Sequence, residues 1–350
     1  MIRRSQVNIN YANKEKLDLL GSFCEEAVRV INLYIDILWE QQDFTSKFVK
    51  NKVDTWLSAR MPQCFGKQAL EIVKSQRKRK KKTKPVFKRK SFNLDSRFVK
   101  IEQDINSFDI WFTLGSIGNR IKLILPGKKH KHFNKFSDWQ LKKSIRLRCV
   151  NGKFYIDVYF EKNNKNEKKF GKVVGLDIGY KKLIATSEYK IYGQELETLY
   201  QKISRKKQGS KAFKRALTER DNKTNQIINQ LPLKRIKTLI VENLKNLKQK
   251  TKKRLRKTFM NKMQRWSYRD VLDRLSNLAE EIGFTLIKIN PAYTSQRCSA
   301  CGVICKANRK GELYKCACGL ELDADINASL NILHLGVYSP QASYIKIHKQ

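Results

Sequence analysis

Long apolar runs are absent from this 350-residue sequence. The longest apolar stretches, such as residues 239–241 and 173–176, are far too short to cross a bilayer, and no apolar segment follows Met1. These absences predict a folded, soluble, cytoplasmic protein that does not enter membranes. The length allows two or three domains, each with a core of its own.

Acidic residues are scarce. The chain holds 32 Asp and Glu against 74 Lys and Arg, which gives a formal net charge of +42. Self-repulsion of this size favours a polyanionic partner held over a large surface, so nucleic acid is the predicted partner. Because the basic excess runs through nearly every segment rather than one tail, we expect a long duplex or a structured RNA.

Two basic clusters are candidate contacts for that partner. The run at residues 77–85 fits a disordered linker and a phosphate-binding arm about equally well. Residues 202–220 fit either a solvated helix face or a duplex contact, and the total charge favours contact. The side chains of Tyr293, Arg297, Trp266 and Tyr268 fit base stacking or backbone contact, although aromatic residues at helical spacing more commonly belong to a core. The candidate nucleic-acid contacts are Arg77, Lys78, Arg79, Lys80, Lys202, Arg205, Lys206, Lys207, Lys211, Arg215 and Arg297.

The hydrophobic pattern of the first half of the chain changes from that of a strand to that of helices, and then back to that of strands. Apolar residues recur at helical spacing over residues 14–41, and the period becomes two beyond residue 97. Since a strand precedes the helices, the pattern predicts a small antiparallel β-barrel (1–11 and 95–165) with a helical insertion (12–94). The predicted elements are strands 2–10, 97–101, 108–114, 120–125, 145–150 and 154–160, and helices 14–41, 46–60 and 67–76.

The second half alternates strands with helices, which is typical of α/β architecture. A polar linker at residues 163–169 leads into it. The predicted elements are strands 173–180, 183–185, 238–242 and 285–289, a helix-permissive segment 195–230, and helices 262–282 and 326–335.

Three carboxylates in this half interrupt apolar segments. Asp177 lies in the buried-strand sequence VVGLDIG, Glu242 ends the strand LIVE, and Asp325 stands at the start of the last helix. Each alone fits an N-cap, a lysine salt bridge or a solvated strand end. Together, three converging carboxylates can hold two magnesium (or manganese) ions about 4 Å apart, an arrangement suited to phosphodiester hydrolysis.

Five of the eight cysteines crowd into residues 298–318. In a chain without a secretory signal, cysteines clustered this closely favour metal ligation over disulfides. Cys298, Cys301, Cys316 and Cys318 supply the four thiolates of a closed tetrahedral zinc site, whose role would be structural. A metal-free ribbon is the alternative, and Cys305 is a further possible ligand.

These motifs resemble those of a known family. Residues 290–302 read NPAYTSQRCSACG, residues 314–319 read YKCACG and residues 325–332 read DINASLNI. Three acidic motifs in this order, with the cysteines before the third acid, are similar to the RuvC-type nuclease domain of the transposon-encoded TnpB family and of its relatives, the type V CRISPR effectors. The likeness is strongest over residues 171–335 and rests on general layout over residues 1–160.

The resemblance implies an RNase H/RuvC-like domain over residues 170–350, with a zinc ribbon at residues 293–322, preceded by a wedge-like barrel carrying a helical recognition insertion. It implies that Asp177, Glu242 and Asp325 are the catalytic acids. A guide RNA would read the target DNA, the N-terminal region would read a short flanking motif, and one acidic centre would cut both strands. We expect a monomer with its RNA, associated with the nucleoid when bound to DNA.

The sequence departs from the family at one point, because the second cysteine pair is Cys-x-Cys rather than Cys-x-x-Cys. Asp323 is a second candidate for the third acid. It alternates with Glu321, so we interpret it as a strand-end acid that faces solvent or a lysine and whose replacement by alanine would leave cleavage near normal. The Asp-x-Asn-Ala match falls on Asp325.

Two other functions remain open. One is an RNA-guided repressor that has lost cleavage, although such a protein would have no need of three costly carboxylates. The other is an unguided junction resolvase or transposase, although the helical insertion and the basic excess go beyond what a small resolvase requires. The sequence does not separate a transposon protein from a miniature CRISPR effector.

Overall fold

The computed structural model describes residues 1–41, 53–79, 83–105, 107–244, 261 and 265–338. The chain divides into two compact units, residues 1–163 and 164–350, and the division falls at the start of the predicted polar linker. Within the described ranges, no helix combines the length and the apolar character needed to span a membrane.

The first unit combines two long helices with two antiparallel sheets. Asn13 caps the first helix by accepting a hydrogen bond from the Lys16 amide at 3.2 Å. The sheets have the strand orders β1-β7-β6-β2 and β3-β4-β5. The elements are β1 (Ile2–Asn8), α1 (Lys14–Glu40), α2 (Met61–Arg77), β2 (Ser91–Leu94), β3 (Val99–Gln103), β4 (Ile110–Leu114), β5 (Leu123–Gly127), α3 (Lys131–Asn134), β6 (Gln140–Val150) and β7 (Lys153–Glu161).

Both sheets and both long helices share one hydrophobic core. Phe23 of α1, Phe65 of α2 and Phe92 of β2 meet with ring centroids 5.8–6.3 Å apart, in tilted and edge-on arrangements. Such aromatic pairs add to the free energy gained from buried area. The helices are therefore held to the sheets by the same residues that fill the core.

Two predictions for this unit are corrected. Residues 53–60 are not helical, while residues 46–52 lie outside the described ranges, and α2 begins at Met61 with Pro62 in its first turn. Strand β2 lies inside the segment predicted as a helical insertion and pairs with residues 145–148 of β6. Four residues are too few for a period of two to stand out in the sequence.

The second unit is a mixed α/β unit with a small ribbon inserted before its last helix. Its main sheet has the order β10-β9-β8-β11-β12, in which β8, β11 and β12 run parallel and β9 and β10 antiparallel. The elements are β8 (Lys172–Asp177), β9 (Ile184–Thr186), β10 (Ile191–Tyr192), α4 (Leu196–Ser204), α5 (Lys211–Asn229), β11 (Ile236–Glu242), α6 (Tyr268–Ile282), β12 (Thr285–Ile289), β13 (Arg309–Lys310), β14 (Leu313–Lys315), β15 (Glu321–Asp323) and α7 (Ala324–Tyr338).

Helix α7 lies directly against the main sheet because two glycines permit a close approach. A Cβ on Gly175 of β8 would come within 2.2 Å of the Ser329 carbonyl oxygen. A Cβ on Gly336 would come within 2.5 Å of Ile240 on β11. The helix is buried on most of its sides, including at the polar residues Asn327, Ser329 and Asn331.

Two predictions for the second unit are also refined. The helix-permissive segment 195–230 forms two helices, because Gly209 adopts a φ of 84° and Ser210 caps α5 by accepting the Phe213 amide at 3.0 Å. The predicted helix 262–282 is continuous from Tyr268 within the described residues, and residues 262–264 lie outside them. Trp266 and Tyr268 are buried, so they belong to the core rather than to an exposed stacking surface.

Candidate metal centres and nucleic-acid interface

Asp177 and Glu242 are the last residues of two neighbouring parallel strands. In β8 and β11, Leu176 is paired with Val241. The two carboxylates follow this pair directly, so they lie side by side at the same edge of the sheet. Adjacent strands are about 4.8 Å apart, a separation that lets two such side chains share a bound cation.

Asp325 reaches this edge from the first turn of α7. The turn after Asp177 lies beside it, since a Cβ on Gly179 would be 3.8 Å from Oδ2 of Asp325. The close packing of α7 on β8 at Gly175 brings the start of the helix to this position. The structure therefore gathers the three predicted carboxylates, which we call the acidic centre.

The acidic centre holds more negative charge than its surroundings compensate. Burial, followed by the charges of Glu242 and Asp325, raises the pKa of Asp177 well above its usual range. Burial also raises the pKa of Glu242, although Thr294 and Arg309 act in the opposite direction. Half-buried carboxylates that resist ionisation in this way are stabilised by a cation, and hard oxygen ligands suit magnesium.

Two further residues contact the acidic centre, and the sequence did not single them out. The guanidinium of Arg309, on β13, lies 2.8 Å from Oδ1 of Asp325. The hydroxyl of Thr294, which is buried, donates to Oε1 of Glu242. Thr294 lies in the sequence NPAYTSQRC, which supports the family resemblance but gave Thr294 no predicted role. Arg309 is one of many basic residues, so nothing in the sequence distinguished it.

The cysteine group is Cys298, Cys301, Cys316 and Cys318. The Sγ atoms of Cys298 and Cys318 are 3.6 Å apart, as are those of Cys301 and Cys316. Four sulfurs around a zinc ion with bonds of about 2.3 Å would be separated by about 3.8 Å, so the geometry fits zinc. Cys305 is not part of this group.

The two cysteine pairs sit on tight turns of the ribbon. Gly302 donates to the Cys298 carbonyl at 3.0 Å, and Gly319 donates to the Cys316 carbonyl at 3.0 Å, both with positive φ. Burial raises the pKa of the Cys298 thiol, but the backbone amides of Cys301 and Ala300 donate to its sulfur and lower the pKa to about 7. A thiol of this kind ionises readily for a metal.

The predicted nucleic-acid contacts divide into engaged and exposed side chains. Arg77 donates to the carbonyls of Leu38, Trp39 and Gln41 at 2.7–3.3 Å, so it caps the end of α1 rather than forming part of a free phosphate-binding arm. Lys202 pairs with Glu219 at 2.7 Å, Arg297 is half-buried beside Gly302, and Lys80 lies outside the described residues. The exposed candidates are Lys78, Arg79, Arg205, Lys206, Lys207, Lys211 and Arg215.

Residues 268–332 match the family model of the Cas12f1-like TNB domain. Over 72 residues the chain is 51% identical to the CRISPR-associated endodeoxyribonuclease Cas12f1 of Sulfoacidibacillus thermotolerans, a match that covers 20% of this chain and 17% of that protein. Over 274 residues it is 26% identical to the TnpB-like protein MJ0751 of Methanocaldococcus jannaschii, covering 65% of this chain and 97% of that protein.

A solved structure has a similar fold. The chain matches the cryo-EM structure of a Cas12f1–sgRNA–target DNA complex with a TM-score of 0.62 and 14% identity, over 92% of this chain and 83% of the other. The sequence matches to two Cas12f1 proteins span only 17% and 16% of their lengths.

Proposed function

We propose that this chain, which belongs to the TnpB family and is related to the type V CRISPR effectors, is an RNA-guided, magnesium-dependent DNA endonuclease. The observation that carries the proposal is the acidic centre, in which Asp177, Glu242 and Asp325 meet at one edge of the sheet. The relatives support it, since one is named a CRISPR-associated endodeoxyribonuclease and the similar fold comes from a complex with sgRNA and target DNA.

The second unit would be an RNase H/RuvC-like nuclease domain. Its mixed five-stranded sheet, the placement of two acids on adjacent parallel strands and the third acid on the last helix all support this assignment. The first unit would form a barrel with a helical insertion and would read the short flanking motif. Its two antiparallel sheets around one core are consistent with the barrel.

In the proposed mechanism, Asp177, Glu242 and Asp325 are the ligands of the catalytic metal. Two bound magnesium ions would supply an activated water and would stabilise the leaving oxygen of the phosphodiester. Thr294 donates to Glu242 and restricts the orientation of that carboxylate. Arg309 pairs with Asp325 at 2.8 Å, so it compensates negative charge at the centre.

The cysteine group would hold one structural zinc ion. Four thiolates leave no open position for catalysis, and the zinc would instead fix the ribbon that carries Arg309. The ribbon also precedes α7, so its folding sets where Asp325 begins. Zinc would thus contribute to the acidic centre indirectly.

The partners would be a guide RNA and target DNA. The exposed basic residues of the turn between α4 and α5, Arg205, Lys206 and Lys207, together with Lys78 and Arg79, are free to contact phosphates. We expect one protein chain per RNA and a cytoplasmic location, with association with the nucleoid on DNA binding.

The test uses the protein with its co-purified RNA, whose guide segment is first sequenced. DNA that matches the guide and carries a library of flanking motifs should be cut in magnesium, and Asp177→Ala, Glu242→Ala and Asp325→Ala should bind it but not cut it. Asp273→Ala, which removes an exposed acid from α6, is the matched control and should cut normally. Bound but uncut DNA in the unaltered protein would favour the repressor, and cutting that ignores the guide would favour the resolvase.

A further inference from the structure

Asp323 caps the N-terminus of helix α7, which begins at Ala324. Its Oδ1 accepts the backbone amides of Asp325 at 3.0 Å and of Ile326 at 3.2 Å, which is the hydrogen-bond pattern of an N-cap. The amide of Asp325 is therefore tied to Asp323, so the backbone that carries the third acid is held by this side chain. The sequence predicts an acid that faces solvent or a lysine, and the structure shows the lysine contact, with Lys182, together with this capping role.

The other oxygen of Asp323 accepts a charge-assisted hydrogen bond from Lys182. The side chain of Lys182 is only 7% exposed, and its ammonium also lies 3.1 Å from Glu312. Lys182 belongs to the turn between β8 and β9, five residues after Asp177. A buried ammonium needs anionic partners, so its position ties this turn to the residues around it.

These contacts join the three segments that meet at the acidic centre. Lys182 comes from the turn that follows Asp177, Glu312 comes from the ribbon, and Asp323 comes from the strand that leads into α7. The ribbon backbone adds a bond, since the Ala324 amide donates to the Glu312 carbonyl at 2.8 Å. Asp325 itself is left with Arg309 as its side-chain ion-pair partner.

We propose that Asp323, held by Lys182, is a positioning residue that fixes the carboxylate of Asp325 relative to Asp177. This inference rests on the proposed metal-binding role of the acidic centre. Both oxygens of Asp323 are engaged by donors of the chain itself, so Asp323 orients a ligand rather than acting as one. Residues that orient ligands in this way commonly affect metal affinity by about 10–100-fold.

The test measures two quantities in the protein with its RNA. The first is the magnesium concentration that gives half-maximal cleavage of guide-matched DNA. The second is manganese binding to the protein, followed by electron paramagnetic resonance without DNA. The variants are Asp323→Ala, Asp323→Asn and Lys182→Met, with Glu321→Ala as an exposed acid from the same strand.

The capping contacts replace the expectation from the sequence that Asp323→Ala cleaves DNA almost normally. We expect this variant to raise the half-maximal magnesium concentration and to weaken manganese binding by roughly tenfold or more. Asp323→Asn keeps an oxygen that can cap α7, so it should recover most of this loss. Lys182→Met should raise the magnesium requirement, and Glu321→Ala should not. Zinc content and DNA binding should remain those of the unaltered protein.

Two results would overturn the proposal. If Asp323→Ala keeps normal magnesium and manganese dependence, the cap does not position Asp325. If Asp323→Asn is as defective as Asp323→Ala, capping of α7 by the Asp323 oxygen is not what positions Asp325. If the unaltered protein cuts no matched DNA, the proposed function fails, but the manganese measurement still decides the role of Asp323. If Lys182→Met leaves the magnesium requirement for cleavage unchanged, Lys182 does not hold Asp323 in position.

Discussion

At the scale of single residues, the charge of Asp177 is costly unless a cation compensates it. Burial and the neighbouring acids raise its pKa in the folded protein above the ordinary value of about 4. A raised folded-state pKa means that the unfolded chain loses this proton more easily. Stability is therefore lost as the pH rises from about 4 through the folded-state pKa.

This loss of stability with rising pH gives a prediction for the metal-free protein. Asp177→Asn should raise its Tm at neutral pH by a few degrees, since about 1 kcal/mol corresponds to roughly 2–4 °C for a domain of about 150–250 residues, the range in which the second unit falls. The gain should shrink as the pH falls towards 4. Differential scanning calorimetry in magnesium-free buffer without chelator, which leaves zinc in place, measures both effects.

Asp273→Asn is the control for that measurement. Asp273 is exposed on α6, so its amide should change Tm little at either pH. A lower Tm in Asp177→Asn than in the unaltered protein would show that the Asp177 carboxylate is compensated without a metal.

Residue identities at the centre were predictable to different degrees. Asp177 and Glu242 were found because an acid in an apolar strand is conspicuous, and the four cysteines because of their spacing. The capping role of Asp323 and the contacts of Lys182, Thr294 and Arg309 were missed, because each depends on which segments meet after folding. The contacts of Arg77 with carbonyls at the end of α1 were not predicted for the same reason, because that end is distant from Arg77 in the sequence.

At the scale of elements, the ribbon should depend on zinc. Elemental analysis should find one zinc per chain, and Cys301→Ser and Cys316→Ser should lower the Tm, because forming the site and folding the ribbon are coupled. Cys305→Ser should keep its zinc, since Cys305 lies outside the four-sulfur group. If the freshly purified protein contains no zinc, the prediction of a zinc site is wrong.

The packing of α7 on the sheet gives a second prediction. Gly175→Ala places a Cβ within 2.2 Å of the Ser329 carbonyl and 2.6 Å of the Leu333 amide, so the helix must move. We expect a loss of about 1–3 kcal/mol in the free energy of unfolding, with slower cleavage because Asp325 moves with the helix. Denaturant unfolding and cleavage rates measure the two effects.

Gly115→Ala is the matched control, because a Cβ there would meet nothing within 4 Å and Gly115 has no positive φ. It should leave both stability and cleavage nearly unchanged. Normal stability in Gly175→Ala would mean that α7 does not lie on β8 as closely as described.

Elements were predicted best where the hydrophobic period was long. Helix α1 was predicted at residues 14–41 and spans Lys14–Glu40. Short elements failed, since β2 has four residues and lies within a predicted helical region. The break between α4 and α5 was also missed, because helix-forming residues continue on both sides of Gly209.

At the scale of the whole molecule, a formal charge of +42 favours a polyanionic partner, but it does not select a nucleic-acid sequence. Binding through many phosphates is strongly salt-dependent and does not distinguish one duplex from another. A nuclease with this charge therefore needs something that restrains it. A bound RNA would occupy much of the basic surface, and base pairing with its guide would select the target. RNA guidance is therefore consistent with both the family resemblance and the charge.

The most direct measurement of the central claim is a guide exchange. The guide segment of the co-purified RNA is replaced by an unrelated sequence, and two DNA targets, matched to the old and to the new guide, are offered in magnesium with the same flanking motif. We predict that cleavage moves to the new target and disappears from the old one, with Asp325→Ala inactive on both. Cleavage that stays with the old target, or that cuts both equally, would contradict RNA guidance.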